Sequence, residues 1–457
     1  MIRILESCRA AVQQMQTLRA TGRVVEVAGL SIIGEGLLLP VGSLCEIQRR
    51  SRAPLPAQVV GARNDRVIFI PLFEPDGVTV GDSVVSRPGL QYVPVGQHML
   101  GCVIDALGQP IGQKRQFAVE AHYPVYGDAP APLSRKPIER PLGTGIRAID
   151  AAVTLGGGQR AGIFAATGVG KSVLLGMIAR ATRADVVVLA LVGERGREVG
   201  DFLRKELGKE AMRRCVMVVS TSDESPVLRV RAGFVATAVA EFFRDQGKDV
   251  LLLMDSVTRM AHAARQIGLS AGEPPTTKGY PPSVFSLLPK LLERSGRTEK
   301  GSITGLYTVL VEGDDMNEPI ADAIRGVLDG HVWLSRDLAN RGHYPAVSVL
   351  DSISRLMPDL VDAAHMRATG TVRRVLAVWR DIEDLVNVGA YSSGVNIDFD
   401  VAVQMKPAID TFLQQGMDEL ADFDETRREW VRLADQISQR REELGRKSQS
   451  GTARKAS

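Results

Sequence analysis

The sequence predicts an α/β protein: a doubly wound parallel sheet, with a small β-barrel before it and a helical domain after it. Three observations predict this. The apolar run Ala161-Gly162-Ile163-Phe164 enters A-A-T-G-V-G-K-S at residues 165–172, a strand that turns into a phosphate-binding loop and then a helix. Further apolar runs at 185–192, 215–219, 250–254 and 305–311 alternate with helical stretches such as 227–243, the pattern of parallel strands buried on both faces. After Pro358 the strand-like runs stop and the chain reads as helices, broken at Gly389-Ala390-Tyr391-Ser392-Ser393-Gly394.

The elements follow in order. Residues 1–20 place Ile4, Cys8, Ala11, Met15 and Leu18 at helical spacing, which predicts a short amphipathic helix that packs on its own domain or docks a partner. Residues 21–90 hold short apolar or alternating runs at 24–27, 37–39, 44–47, 59–60, 67–70 and 84–85, separated by glycine, proline and an Asn-Asp turn. Strands of this length and spacing predict a β-barrel. Residues 91–358 are assigned to the nucleotide-binding core, with a proline-rich connector at 129–140 (Pro130, Pro132, Pro137). Residues 359–457 form the C-terminal helical domain. Its last twenty residues carry six Lys/Arg against two Glu, a net of +4, and read as a solvated basic tail or a contact for an anionic partner.

Composition narrows the class. The chain has 457 residues, enough for two or three domains, and 44% of them are hydrophobic while 5% are aromatic. A net charge of +3, from 56 basic and 53 acidic residues, gives no global argument for nucleic acid. Cys8, Cys45, Cys102 and Cys215 are scattered and read as free thiols of a reducing compartment; the six histidines lack metal-ligand spacing. There is no signal-peptide core and no run of eighteen apolar residues, so a cytoplasmic protein is expected.

The loop supplies binding chemistry. Gly168 and Gly170 let the backbone turn its N–H groups around a polyphosphate, with Thr167, Val169 and Val173 completing the turn. Lys171 brings a fixed charge to the β- and γ-phosphates, and Ser172 offers a hydroxyl to Mg²⁺. The helix that follows points its partial positive charge at the phosphates. Ala165 stands where the first glycine of the usual motif falls, a substitution small enough for the loop to keep its shape.

Hydrolysis further needs a metal anchor, a group that orients water and positive charge for the transition state. Asp255 ends the strand-like run 251–254 and is the expected second metal ligand beside Ser172. Glu194, in Gly193-Glu194-Arg195-Gly196-Arg197-Glu198, follows the run ending at Val192 and arrives at the same sheet edge as Lys171, so it is the expected base, with Glu198 the rival. Each has a plainer reading: Asp255 as a helix cap, the 193–198 run as a charged surface turn.

The loop, the Gly-Glu-Arg run and the strand ending at Asp255 together resemble the catalytic subunits of rotary-ATPase-type hexamers, as do residues 101–111 and 142–150. Within that superfamily the chain is most similar to the flagellar and type III secretion export ATPases, through Glu273–Phe285 and the Gly-Ala-Tyr-x-x-Gly turn at 389–394. The resemblance implies a RecA-like P-loop ATPase core. It assigns the base to Glu194, places Arg195 near the γ-phosphate, stacks Tyr344 of Gly342-His343-Tyr344-Pro345 on adenine, and makes Arg355 of Asp351-Ser352-Ile353-Ser354-Arg355 an arginine finger for a neighbouring subunit. Ser348 stands where Asp or Asn is usual. It also implies ATP and Mg²⁺ as ligands and a homohexamer peripheral to the inner membrane. The implied partners are a stator-like regulator at the N-terminus, a central coiled-coil stalk, export chaperone–substrate complexes and the export gate.

The expected function is therefore ATP hydrolysis powering type III protein export, flagellar first and virulence-type second. Three rivals are weighed against it. A rotary ATP synthase catalytic subunit would carry an acidic cluster where this chain has 387–398. An RNA translocase would need an aromatic, basic platform, and the barrel region offers Phe69 and Phe73 alone, so no nucleic acid partner is expected. A non-hydrolysing scaffold would lack the base carboxylate, and Glu194 is present.

Overall fold

The structure is a computed structural model and describes residues 20–87, 91–112, 117–311, 313, 315 and 317–455, with side chains to residue 447. The expected helix at 1–20 lies outside the described residues apart from Ala20, as does Cys8.

Six antiparallel strands close a barrel in the order β1-β2-β5-β4-β3-β6: β1 (Thr21–Ala28), β2 (Ser31–Glu35), β3 (Leu44–Gln48), β4 (Leu55–Arg63), β5 (Arg66–Pro71) and β6 (Ser83–Ser86). Val24, Ile32, Ile47, Ala57, Val59, Val67, Phe69 and Val84 fill it, every one at an inward position of the two-residue strand period. One expected strand falls elsewhere. The leucine run 37–39 is not part of the ladder, whose second strand is Ser31–Glu35. Gly36 at φ 74 ends that strand and Pro40 follows the leucines, so the run leaves the sheet with Leu37 buried and Leu38 exposed.

A two-stranded pair, β7 (Tyr92–Val95) with β9 (Ala121–Pro124), links the barrel to the main sheet. The main sheet comprises β8 (Val103–Ile104), β10 (Arg160–Ala165), β11 (Val186–Glu194), β12 (Cys215–Thr221), β13 (Asp249–Asp255), β14 (Gly296–Arg297), β15 (Ser302–Leu310), β16 (Gly330–Leu334) and β17 (Val347–Ser354). Its order is β17-β16-β10-β15-β13-β11-β12-β8, with β14 beside β15. All these pairings are parallel except β16 with β17 and β14 with β15.

The strand period divides the interior into two cores. Val186, Val188, Ala190 and Val192 of β11 face one, packed under the helices Pro226–Asp245, Val257–Ser270 and Pro282–Leu292. Val187, Leu189 and Leu191 face the other, with the helix Lys171–Ala181. A strand buried on both faces has no polar side to show, which is why the run reads as continuously apolar.

The second core also takes in the C-terminal helices Ala363–Asn387, Ile397–Leu413 and Phe423–Lys455 through Val372, Ile409 and Trp430. Trp430 is fully buried and its Nε1 donates to Thr369 Oγ1 at 3.0 Å. The turn at 389–394 is held by Asp400, which accepts from Ser393 Oγ at 3.0 Å, from Gly394 N at 2.9 Å and from the Tyr391 hydroxyl. One buried carboxylate therefore shapes the turn. Cys45, Cys102 and Cys215 are free thiols. No helix among the described residues is long and apolar enough to cross a membrane.

Candidate active site

Parallel strands deliver their C-terminal ends to one edge, and three of them build the site. β10 ends at Ala165 and the chain turns through Thr167, Gly168, Val169 and Gly170 into the helix Lys171–Ala181. Gly168 and Gly170 have φ of 84° and 86°, in the left-handed region where a side chain is strained. The backbone thus forms the concave turn in which successive N–H groups meet an anion. Thr167, Gly168 and Ser172 are exposed on the rim, while Val169 is buried beneath it and Val173 is half-buried.

Asp255 ends β13 and Glu194 ends β11, and both are nearly buried, at 3% and 8% exposure. β15 lies between β10 and β13, so Asp255 is not on the strand next to the loop. The Lys171 side chain spans that gap: its ammonium is ion-paired with Asp255 and stands 3.9 Å from Glu194 Oε1. Thr308 on the intervening β15 donates from Oγ1 to Asp255 Oδ1 at 2.7 Å and fixes that carboxylate.

Glu194 is pulled in two directions. Burial, a hydrogen bond with Glu198 and the charge of Asp255 push its carboxyl up to about 7; Lys171 and Arg259 oppose the rise. A carboxyl poised there can hold a water and accept its proton near neutral pH. Glu198 shifts the opposite way, below the usual carboxylate range, chiefly through the same hydrogen bond. It sits one helical turn on, 3.7 Å from Arg195 Nη1.

Sequence reasoning missed Arg259. It lies in the first turn of the helix Val257–Ser270, where Ser256 caps Arg259 N, and its Nη1 stands 3.0 Å from Glu194 Oε2 while also donating to the Gly193 carbonyl. Its signal was its place, one turn beyond a strand-end aspartate, where a helix side chain points back over the sheet edge.

The remaining expected residues fall in three places. Arg195 is largely exposed and directed to Glu198. Tyr344 is 45% exposed, and its ring lies against the loop: a Cβ at Gly170 would meet Tyr344 Cε1 at 3.4 Å. Arg355 is not brought to this site. β17 runs antiparallel, Ser354 pairs with Gly330, and Gly330 pairs with Ala161 at the start of β10. Arg355 N accordingly bonds Asp329 O at 3.0 Å. It emerges at the opposite sheet edge, separated from the loop by a strand length of about 13 Å at ~3.3 Å per residue. Its side chain is exposed and forms no salt bridge among the described residues. Ser348 Oγ donates to Asp351 Oδ2 at 2.5 Å, and its carbonyl accepts from Ser352 Oγ at 2.6 Å.

Residues 145–354 match the ATP synthase alpha/beta family, nucleotide-binding domain. The fold and the site thus define a nucleotide-binding ATPase of the class to which rotary ATP synthases belong. Residues 361–430 match the T3SS EscN ATPase C-terminal domain. The chain is 47% identical to a flagellum-specific ATP synthase of Bacillus subtilis, over 91% of this chain and 95% of the relative. It is also 47% identical to a type 3 secretion system ATPase of Xanthomonas euvesicatoria, over 89% and 92%. The structure of the assembled ATPase EscN from enteropathogenic E. coli superposes with a TM-score of 0.86 at 40% identity, over 90% of this chain and all of that one. EscN in complex with its central stalk EscO gives 0.83 at 40% identity, with the same coverage. The chain belongs to the family of flagellum-specific ATP synthases and type III secretion ATPases, and it is an ATPase of type III protein export.

Proposed function

We propose that this chain powers flagellar protein export as a homohexamer, hydrolysing MgATP at sites shared between neighbouring copies. The observation that carries the reading of shared sites is the placement of Arg355 at the sheet edge opposite Lys171 and Glu194. A finger there cannot serve its own loop, so it serves the loop of the next copy. Every chain then donates one finger and owns one base, and a ring of identical copies needs no second kind of subunit.

In this reading the backbone of Thr167–Val173 holds the phosphates and the Tyr344 ring stacks on the adenine. The residues present suit a magnesium ion: Ser172 and Asp255 are hard oxygen donors, Asp255 reaching the loop through its ion pair with Lys171, the residue before Ser172, and Mg²⁺ is commonly held by one or two protein oxygens plus phosphate. When bound, the ion neutralises charge on the β- and γ-phosphate oxygens. Glu194 orients a water and takes its proton as the water oxygen bonds to the γ-phosphorus. The bond to the bridging oxygen breaks in line, releasing ADP and phosphate. Lys171 and the partner subunit's Arg355 stabilise the spread negative charge, the finger being worth about 10³–10⁵ in rate. Arg195, directed to Glu198 in the isolated chain, would assist near the γ-phosphate once a neighbouring copy packs there.

Partners follow from the same reading. The solved EscN complex with its central stalk supports a stalk in the ring axis. A stator-like regulator at residues 1–20, chaperone–substrate complexes and an export gate at the inner membrane complete the assembly. The protein would then be cytoplasmic and peripheral to that membrane. Deleting the gene should abolish flagellar filaments and hook secretion. Intact filaments with loss of needle-type secretion would move the chain to virulence export, which its 47% identity to the Xanthomonas ATPase keeps as the second reading.

A further inference from the structure

Gln415 lies between the helices Ile397–Leu413 and Phe423–Lys455, away from the reacting groups, and is 6% exposed. Both ends of its side-chain amide are engaged. Oε1 accepts from Arg147 N at 2.9 Å, and Nε2 donates to Gly145 O at 2.8 Å and to Glu419 O at 2.9 Å. Its main-chain N donates to Tyr344 O at 2.9 Å. One residue thus joins three pieces distant in sequence: the turn at 144–147, the C-terminal segment 414–419 and the Tyr344 loop.

Two of the pieces are fixed for their own reasons. Buried Asp150 accepts from Thr144 N at 3.0 Å, Thr144 Oγ1 at 2.7 Å and Gly145 N at 3.0 Å, which fixes the turn. The turn abuts the end of the phosphate-loop helix so closely that a Cβ at Gly145 would lie 2.2 Å from the Ala181 Cβ. Arg147 clamps the segment by donating from Nε to Phe412 O at 2.8 Å, together with contacts to Gln414 O and Glu419. The Tyr344 ring is 45% exposed and lies against Gly170 on one side, so its place depends on the main chain that carries it.

We propose that Gln415 is a positioning residue for the nucleotide base. Its amide fixes the segment whose N–H holds the Tyr344 carbonyl, and so sets how tightly the site grips the base, independently of the phosphates. The proposal rests on the reading of Tyr344 as the stacking residue. It also makes the segment joining the last two helices part of the base pocket's support, so base occupancy and C-terminal domain position are linked through this segment.

The test compares two probes on the full chain, ADP and inorganic tripolyphosphate, each titrated calorimetrically with Mg²⁺. Gln415→Met keeps the volume and removes all three side-chain bonds. It should weaken ADP binding about tenfold, the scale of a loosened base–aromatic stack, and leave tripolyphosphate binding unchanged. Wild-type ADP affinity, or an equal loss for both probes, overturns the proposal. Gln415→Glu is the second variant should Gln415→Met not fold: it keeps the acceptor for Arg147 N and turns an anion toward two carbonyls, so the same selective loss is expected. Tyr344→Ala separates the two claims. If it spares ADP binding, the stacking reading fails. If it weakens ADP while both Gln415 variants bind normally, only the positioning role fails.

Discussion

Arg259 Nη1 stands 3.0 Å from Glu194 Oε2, and the same nitrogen holds the Gly193 carbonyl. The guanidinium therefore fixes both the proposed base and the turn that presents it, and it favours the charged carboxylate against burial, Glu198 and Asp255. Because kcat/KM reports the free enzyme, its pH profile should rise through a limb near pH 7, as the Glu194 carboxyl at about 7 loses its proton. Arg259→Gln removes a positive charge that holds the Glu194 pKa down, so the limb should move to higher pH. A limb that stays in place in Arg259→Gln, or tracks an ordinary carboxylate near pH 4, would separate Glu194 from the rate.

Lys171 bridges the loop to both strand-end carboxylates. Lys171→Ala should lower kcat by at least about 10²-fold, as expected when a charge aimed at the transferring phosphoryl group is lost. Phosphate release at a tenth of the wild-type rate or more would undo the placement of the site.

Thr308 acts one step out, through its 2.7 Å bond to Asp255 Oδ1. Thr308→Val keeps the shape and removes the donor, so the Mg²⁺ concentration for half-maximal hydrolysis should rise about tenfold, within the usual range for a support behind a metal ligand. An unchanged Mg²⁺ dependence would argue that Asp255 is held well enough by its own strand.

The chain leaving β9 at Val125 is tied down by a buried ion pair. Arg294 is fully buried, donates from Nε to Glu241 Oε1 at 2.9 Å and from Nη1 to Val125 O at 2.5 Å. Arg294→Met strands the Glu241 carboxylate in a dry interior and should cost about 3–5 kcal/mol, read as a lower denaturation midpoint. A loss under about 1 kcal/mol would mean that water reaches Glu241.

Much of this was legible in the sequence because it depends on local spacing. The glycines at 168 and 170 declare a turn, and Glu194 and Asp255 are the first carboxylates after continuous apolar strands. What escaped depends on tertiary approach. Arg259 has no motif, and its value comes from the pairing of β11 with β13, which brings its helix over Gly193. The insertion of β15 between the loop strand and the Asp255 strand leaves no mark on either. Gln415 looks like any amide after a helix, and only the fold brings it to Arg147 and Tyr344. The leucines at 37–39 were misread as a strand because an apolar run carries no sign of the glycine and proline geometry that removes it from the ladder.

The opposite placement of Arg355 and Lys171 is the central claim, and mixed assembly tests it most directly. Glu194→Gln chains keep the finger and Arg355→Ala chains keep the base, so each ring of one kind should be inactive. Mixed in equal amounts, about a quarter of the interfaces in a head-to-tail ring pair a sound base with a sound finger. Phosphate release approaching about a quarter of the wild-type rate is the predicted result for those interfaces. Mixed rings, verified by differential tags, that stay as inactive as either parent would contradict a finger acting between subunits.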